Sequence, residues 1–558
     1  MSLDNARTGE KPSRWLNGEG RRGETGQQPS SPQRSGGVSV DSTSISSTKV
    51  SWEVSGEGGK AQPTVQAGSA SEAGGVAGEV GVPHSNAEAE VLDAYFSGKY
   101  TAKAPRGDTC SMRRGEEKDA GMAGATRIQT PDKVRHLQIT LYRKAKTAPK
   151  YRFWSLYGEL LRLDVLEAAL RAQERNDGAA GVDGQSLASI TADPVKRQQW
   201  LESLQRELKA RTYRPSPVRR VLIDKAGGGQ RPLGIPTVRD RVVQMALYLM
   251  LMPIWEADFQ AHSYGFRPKR KAHQAIDAIS LAVHQGYVEI IDADLSKYFD
   301  SIPHRPLMKK VAQRVSDGSV LGLVKGWLRA PVVEEDKDGS KRVLPNRCGT
   351  PQGGVISPLL ANVYLNPLDH GVHQKCAGQA RLVRYADDFV IACRPGQSQQ
   401  VLARTKKWLR AHGLTLNEKK TRVVDIRQEG VNFLGFNLTG RRSRRGKNYL
   451  HVEPSQKSRR ALRESLGEIF NHRTQWESVA EVVKKANQIL RGWAGYFHYG
   501  NSTEVMNQMK RHSQNRLRRW LWRKHNCRWA LWGTEAGDWM HRKYGLYELP
   551  LTAAWRAI

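Results

Sequence analysis

The sequence has little cysteine, no long apolar run and, in its first quarter, almost no aromatic residues. Its 558 residues hold five cysteines (Cys110, Cys348, Cys376, Cys393 and Cys527), and no two are spaced Cys-x-x-Cys. That argues against a disulfide framework or a four-cysteine zinc site, and it fits a reducing cytoplasm. The longest apolar run, Ala246 to Trp255, is about half of what a bilayer span needs and contains Pro253. It reads as a buried helix, and no membrane partner is expected. The N-terminus lacks the apolar stretch of a secretion signal. No fixed-period repeat is present.

Residues 1–125 hold 20 of the 52 glycines, one Phe and two Trp, with 14 Lys and Arg against 16 Asp and Glu. Such a segment cannot bury enough apolar area to offset chain entropy. It is expected to be a disordered Gly/Ser-rich tail with at most a short helix around Glu88–Phe96. The formal net charge of +33 therefore falls on the rest of the chain, which points to a polyanionic partner, nucleic acid first. Residues 441–558 carry 24 Lys and Arg against 9 Asp and Glu, and eight of the 15 Trp. Helical stretches at Ser458–Phe470, Val479–Tyr499 and Val505–Lys524 suggest a basic helical bundle there.

Between these regions the patterning predicts a helix over Trp154–Glu174, another over Trp200–Lys209, and a strand over Val218–Asp224 turning at Gly227-Gly228-Gly229. A long buried helix spans Val238–Trp255. Val288–Asp294 alternates like a sheet strand. Leu382–Tyr385 and Phe389–Cys393 flank Ala386-Asp387-Asp388 as a hairpin with acids at its tip.

The carboxylates carry the chemistry. An apolar strand ends in Asp292-Ala293-Asp294, and the hairpin tip presents Asp387 and Asp388. Three such acids on adjacent strands would suit nucleotidyl transfer with two Mg²⁺ ions, which take few carboxylates and several phosphate or water oxygens. Alone, an Asp-Asp turn is more often a solvated turn. The surroundings shift that balance: Lys225 and Arg231 flank a Gly-rich turn suited to a triphosphate, and Gly349-Thr350-Pro351-Gln352-Gly353-Gly354 allows close backbone approach to a ligand.

Eight blocks occur in one order: Gly181-Val182-Asp183-Gly184, Arg231-Pro232-Leu233-Gly234-Ile235-Pro236, Ser263-Tyr264-Gly265-Phe266-Arg267-Pro268, Ala293-Asp294-Leu295-Ser296-Lys297-Tyr298-Phe299-Asp300, Thr350-Pro351-Gln352-Gly353-Gly354, Tyr385-Ala386-Asp387-Asp388, Gly413-Leu414-Thr415-Leu416-Asn417 and Phe433-Leu434-Gly435-Phe436. In these the chain resembles the group II intron-encoded reverse transcriptases, or maturases, of bacteria. Leu490-Arg491-Gly492-Trp493-Ala494-Gly495-Tyr496-Phe497 resembles the core of their maturase-specific thumb.

The resemblance implies an α+β right-hand polymerase, fingers and palm with antiparallel sheet, followed by an α-helical thumb/maturase domain. The expected division is 1–125 tail, 126–440 fingers and palm, 441–510 thumb, and 511–558 a basic Trp-rich nucleic-acid-binding segment. It implies Asp294, Asp387 and Asp388 as the metal-binding triad for two Mg²⁺, with Asp292 a strand neighbour. Phe299 becomes the aromatic gate against a ribose 2′-hydroxyl, although a Phe at a strand end is ordinarily core. Gln352, Lys225 and Arg231 become contacts to the incoming dNTP. Either Lys419 or Lys420 would protonate leaving pyrophosphate. Arg441–Lys447 reads as a loop suited to phosphate. Implied partners are group II intron RNA, an RNA template and a DNA primer or target. A maturase-type RNA-binding protein with incidental polymerase activity, and a related enzyme recruited to phage defence, are the competing readings. No paired cysteines follow Cys527, so no H-N-H endonuclease and no bottom-strand cleavage are expected.

Overall fold

The computed structural model describes residues 131–552 apart from 177, 225–229, 336–337 and 527–535. The expected N-terminal tail, its short helix and Lys225 lie outside the described residues. Among those described, no helix is long and apolar enough to cross a membrane.

The longer helices of the first part are α1 (Asp132–Thr147), α2 (Leu163–Glu174) and α3 (Pro194–Lys209). The expected helix over 154–174 is two pieces, a turn at Leu156–Leu160 and then α2. The break falls at Arg162, whose backbone is extended and whose guanidinium is held by Glu159 at 2.8 Å and Asp164 at 2.7 Å. Asp193 caps α3 and Pro194 begins it, where a missing N–H costs nothing. Strands β1 (Val218–Asp224) and β2 (Gln230–Ile235) form a hairpin. Helix α4 (Val238–Glu256), capped by Thr237, is buried all round, as its unbroken apolar run requires. Helix α5 (Ala272–His284) leads into β3 (Glu289–Ala293), then α6 (His304–Val311), α7 (Gly318–Arg329) and the hairpin β4 (Val332–Glu335)–β5 (Lys341–Leu344). Helix α8 (Ser357–Lys375) precedes the hairpin β6 (Ala380–Tyr385)–β7 (Asp388–Cys393), and α9 (Ser398–Ala411) precedes β8 (Arg422–Asp425).

The palm sheet runs β6-β7-β3-β8, antiparallel throughout. It is covered on both faces, and the period of two sorts its side chains. Ile291, paired with Ile391, joins the core shared with α4 and α8, whereas Ile290, paired with Ala392, joins a second core with α5. The fingers sheet runs β2-β1-β4-β5, and β1–β4 is parallel. The other pairs in both sheets are antiparallel, as expected, and the long crossover between β1 and β4 permits the one parallel pair.

A third sheet, β9 (Val431–Phe433), β10 (Phe436–Arg442) and β11 (Asn448–Pro454), packs on the α5 side of the palm. The loop expected over 441–447 is shorter than that. Arg441 and Arg442 pair with Tyr449 and Asn448, because Leu438 and Val452 bury the same face of this ribbon. Helices α10 (Gln456–Ile469), α11 (Val479–Phe497), α12 (Thr503–His525) and α13 (Ala536–Tyr544) close the described chain around their own core, which includes Trp493 and Trp520. Position 510 lies inside α12, and residues on both sides of it share this core.

Candidate active site

Register places the acids. Ala293 pairs with Phe389, so the next residues outward, Asp294 and Asp388, stand side by side where β3 ends and β7 begins. By the same alternation Asp292, Asp294 and Asp388 share one face of the sheet. Asp388 is crowded: burial pushes its carboxyl up to about 7, with Asp387, Asp294 and Asp292 pushing the same way and Lys420 opposing. The residue as a whole nevertheless keeps an exposed surface, so water reaches this end of the sheet. Burial also raises Asp387, with Arg231 and Arg384 pulling it down and Asp294 pushing it up. Burial raises Asp292, while Arg422, 3.4 Å away, opposes it.

The tip of this hairpin is braced from below. Ala386 adopts a left-handed backbone, φ 61°, which a non-glycine residue holds only when its surroundings fix it. Those surroundings are specific. A β-carbon at position 265 would collide with the backbone nitrogen of Ala386, so only glycine lets the Ser263–Pro268 segment lie beneath the turn. Arg384, fully buried, donates from Nε to Asp369 Oδ1 at 2.8 Å, and from Nη1 to Asn362 Oδ1 at 2.7 Å and to the Ala386 carbonyl at 2.8 Å. Asn362 in turn donates to the Gly265 carbonyl at 2.8 Å. Sequence reasoning assigned no role to Arg384, Asp369 or Asn362. The one available signal was an arginine directly following the apolar pair Leu382-Val383 in this strand.

The fingers meet the palm through Gln352. The Gly234 amide donates to the Gln352 carbonyl, and Arg231 Nε donates to Gln352 Oε1 at 2.7 Å. Gln352 Nε2 reaches both Asp300 carboxylate oxygens at 3.4 Å. A β-carbon at position 353 would overlap the Gly234 carbonyl, which explains a glycine there at φ 112°. The Thr350 amide donates to the Phe299 carbonyl at 2.7 Å, which brings the Phe299 turn to the same place. Phe299 itself is 7% exposed and packs edge-on to Phe266 with ring centroids 6.2 Å apart. Three of the four residues expected at the nucleotide therefore lie together; the fourth, Lys225, is outside the described residues.

The two adjacent lysines are no longer equivalent. Lys420 Nζ is 3.0 Å from Asp294 Oδ2, and Asn417 Nδ2 donates to the same oxygen at 3.2 Å. The Asn417 amide also donates to the Asp294 carbonyl at 2.8 Å, which moors the Gly413–Asn417 segment against the end of β3.

Among the described residues, no three His, Cys, Asp or Glu side chains already stand in metal-ligating geometry. The donor chemistry nevertheless fits a hard divalent cation. Asp294, Asp387 and Asp388 offer only carboxylate oxygens, and their mutual repulsion, visible in the raised Asp388, is what a cation would relieve. A site that takes most of its ligands from substrate phosphates and water needs no closed protein cage.

Residues 223–438 match the family described as reverse transcriptase (RNA-dependent DNA polymerase), and residues 459–534 match the group II intron, maturase-specific domain. Protein YkfC of Escherichia coli is 34% identical over 366 residues, which is 58% of this chain and 94% of that protein. The chain belongs to the reverse transcriptases of the group II intron maturase type. The group II intron-encoded protein LtrA of Lactococcus lactis is 28% identical over 355 residues, 52% of this chain and 57% of its own. The uncharacterized 91 kDa protein in the cob intron of Schizosaccharomyces pombe is 26% identical over 416 residues, 61% and 50% respectively. The chain thus spans about half the length of these last two relatives. The acid cluster and its bridge to the fingers, from Arg231 to Lys420, fall inside the first matched region. Trp493 and Trp520 fall inside the second.

Proposed function

We propose that this chain is an RNA-directed DNA polymerase that also binds group II intron RNA, assists its splicing and copies it into DNA during retrohoming. The observation that carries the reading is the meeting of Asp294, Asp387 and Asp388 at the end of the palm sheet, beside the Arg231–Gln352–Asp300 bridge.

In this reading the three aspartates hold two Mg²⁺ ions. Held there, Mg²⁺ would supply the positive charge that makes a primer 3′-hydroxyl more acidic and offsets the charge of a pyrophosphate leaving group. The rest falls to the chain's own side chains. Arg231 offers its guanidinium to the triphosphate, and Gln352, held between Arg231 and Asp300, orients the incoming dNTP. Phe299 closes the space a 2′-hydroxyl would need, so deoxynucleotides are preferred. Lys420, beside Asp294, gives a proton to departing pyrophosphate. Arg384 acts through the hairpin, holding Ala386 so that Asp387 and Asp388 keep their places. The fingers and palm extend through β11, and the thumb comprises α10 to α13 as one helical unit. Its Lys and Arg contact intron RNA phosphates.

The test is primer extension on an RNA template with wild type and Asp387→Ala, alongside binding of intron RNA. The variant is expected to lose extension and keep binding. Extension at the wild-type rate would sink the metal assignment.

A further inference from the structure

An open cleft of about 1030 Å³ lies away from the acid cluster, between the end of α1, the end of α4 with the Ala257–Arg270 segment, and α8. None of the residues assigned to catalysis lines it. Its two acids are already matched. Arg314 Nε is 3.0 Å from Asp258, and Arg267 Nε donates to Glu256 at 2.9 Å. Lys146, Lys150 and Arg270 also line it; Lys146 acts on Asp258 at longer range, and these three cations outnumber the acids left to them. The cleft is therefore electropositive. The rings of Tyr142 and Phe259 give it apolar wall.

Among the described residues, two buried wall atoms form no hydrogen bond: Arg314 Nε, which has Asp258 beside it, and the amide oxygen of Asn366. Asn366 is 8% exposed and faces the cleft, and its buried Oδ1 accepts no hydrogen bond. Buried polar atoms are almost always paired, and an acceptor left over beside a cleft is an acceptor for whatever enters. The volume is at the top of the range of roughly 300–1,000 Å³ found for ligand pockets. It has room for one or two unpaired nucleotides.

We propose that this cleft binds unpaired nucleotides of single-stranded RNA, the base against Tyr142 with an amino edge donating to Asn366, and the flanking phosphates on Lys150 and Arg270. Cationic rims with aromatic walls are how single strands are held without a duplex groove. The site is separate from the polymerase cleft, and the inference does not rest on the polymerase reading.

The experiment uses the full chain with its polymerase cleft filled by a chain-terminated primer–template and the next dNTP. The probe is a short labelled single-stranded RNA containing 4-thiouridine. Irradiation is expected to cross-link it to peptides containing Tyr142. Lys150→Glu with Arg270→Glu should weaken probe binding about tenfold, and flatten log K against log salt by about 1.4, two contacts at about 0.7 each. Primer extension by this variant, expected at the wild-type rate, certifies its fold. Asn366→Ala should erase base preference in the probe without changing the salt slope. Unchanged affinity and slope in the charge-reversed variant, or cross-links confined to other surfaces, would overturn the proposal; a cleft built for an acidic peptide gives that result.

Discussion

Replacing Arg384 with Met separates what holds the catalytic turn from what the turn does. The guanidinium is 0% exposed and its partner Asp369 is 2% exposed. Met fills much of the same volume but leaves the Asp369 carboxylate, the Asn362 carbonyl oxygen and the Ala386 carbonyl without their donor. Breaking a buried ion pair from one side costs about 3–5 kcal/mol, because a charge is left uncompensated in a poor solvent. Against a total stability of about 5–15 kcal/mol that is a large loss. Removing both charges, Arg384→Met with Asp369→Leu, removes the stranded ion and should recover most of it. The recovery should not extend to catalysis, because the bond to the Ala386 carbonyl is still missing and the left-handed turn is still unbraced. Native-state hydrogen exchange of the β6 and β7 amides reads the local stability. Single-nucleotide incorporation reads the turn. A single variant losing less than about 1 kcal/mol, the value of an exposed pair, would refute the argument. So would a double variant as unstable as the single one.

Asp388 carries a pH signature. Its folded pKa, about 7, lies above the unfolded value of about 3.9, so the folded state binds the proton more tightly and stability falls as pH rises between the two. Asp388→Asn is expected to raise the melting temperature of metal-free protein at pH 8 and to change it little at about pH 4, near the unfolded value; equal shifts at both would contradict the crowding. Adding Mg²⁺ at pH 8 should raise the melting temperature of wild type more than that of this variant. Lys420→Ala should slow single-nucleotide incorporation by about 10²-fold, the lower end of general-acid effects, and Lys419→Ala should not; equal losses would show that contact with Asp294 confers no role. Phe299→Ala should raise ribonucleotide incorporation relative to deoxynucleotide. Because the ring is buried, the variant should also lose about 3–5 kcal/mol of stability. The discrimination ratio is unaffected by folded fraction, so an unchanged ratio rejects the gate.

Where a rule of local periodicity applied, the sequence was readable. The strand expected over 218–224 and the helix begun at Val238 appear with those bounds, because a strand's alternation and a helix's unbroken apolar run each dictate their own burial. The α12 helix was readable for the same reason, but its place in a single core with α10, α11 and α13 was not, and the boundary drawn at 510 cuts through it. The β9–β11 sheet escaped because β9 has only three residues and the charged run joining β10 to β11 reads as a loop. Lys419 and Lys420 could not be told apart by composition. The Asn417 amide bond to the Asp294 carbonyl fixes the backbone ahead of them, and that fixes which one reaches the acid.

The blocks that carried the resemblance have a common physical property: each is the contact surface of another. Position 265 must be glycine because Ala386 lies against it, and position 353 because the Gly234 carbonyl does. Asn417 is bonded to Asp294, and Gln352 to Arg231. Steric and hydrogen-bonding demands of this kind accept one residue type, so they leave a legible mark in a single chain. Helices such as α1 and α5 meet their neighbours through apolar burial, which many residues satisfy equally. Arg384 falls between the two cases. Its demands are as specific as those of Gly265, but they are met by Asn362 and Asp369 across a helix-to-strand contact that no local pattern announces. A buried arginine in a sheet strand is therefore a sign that a matching carboxylate stands elsewhere in the fold, and only the fold says which.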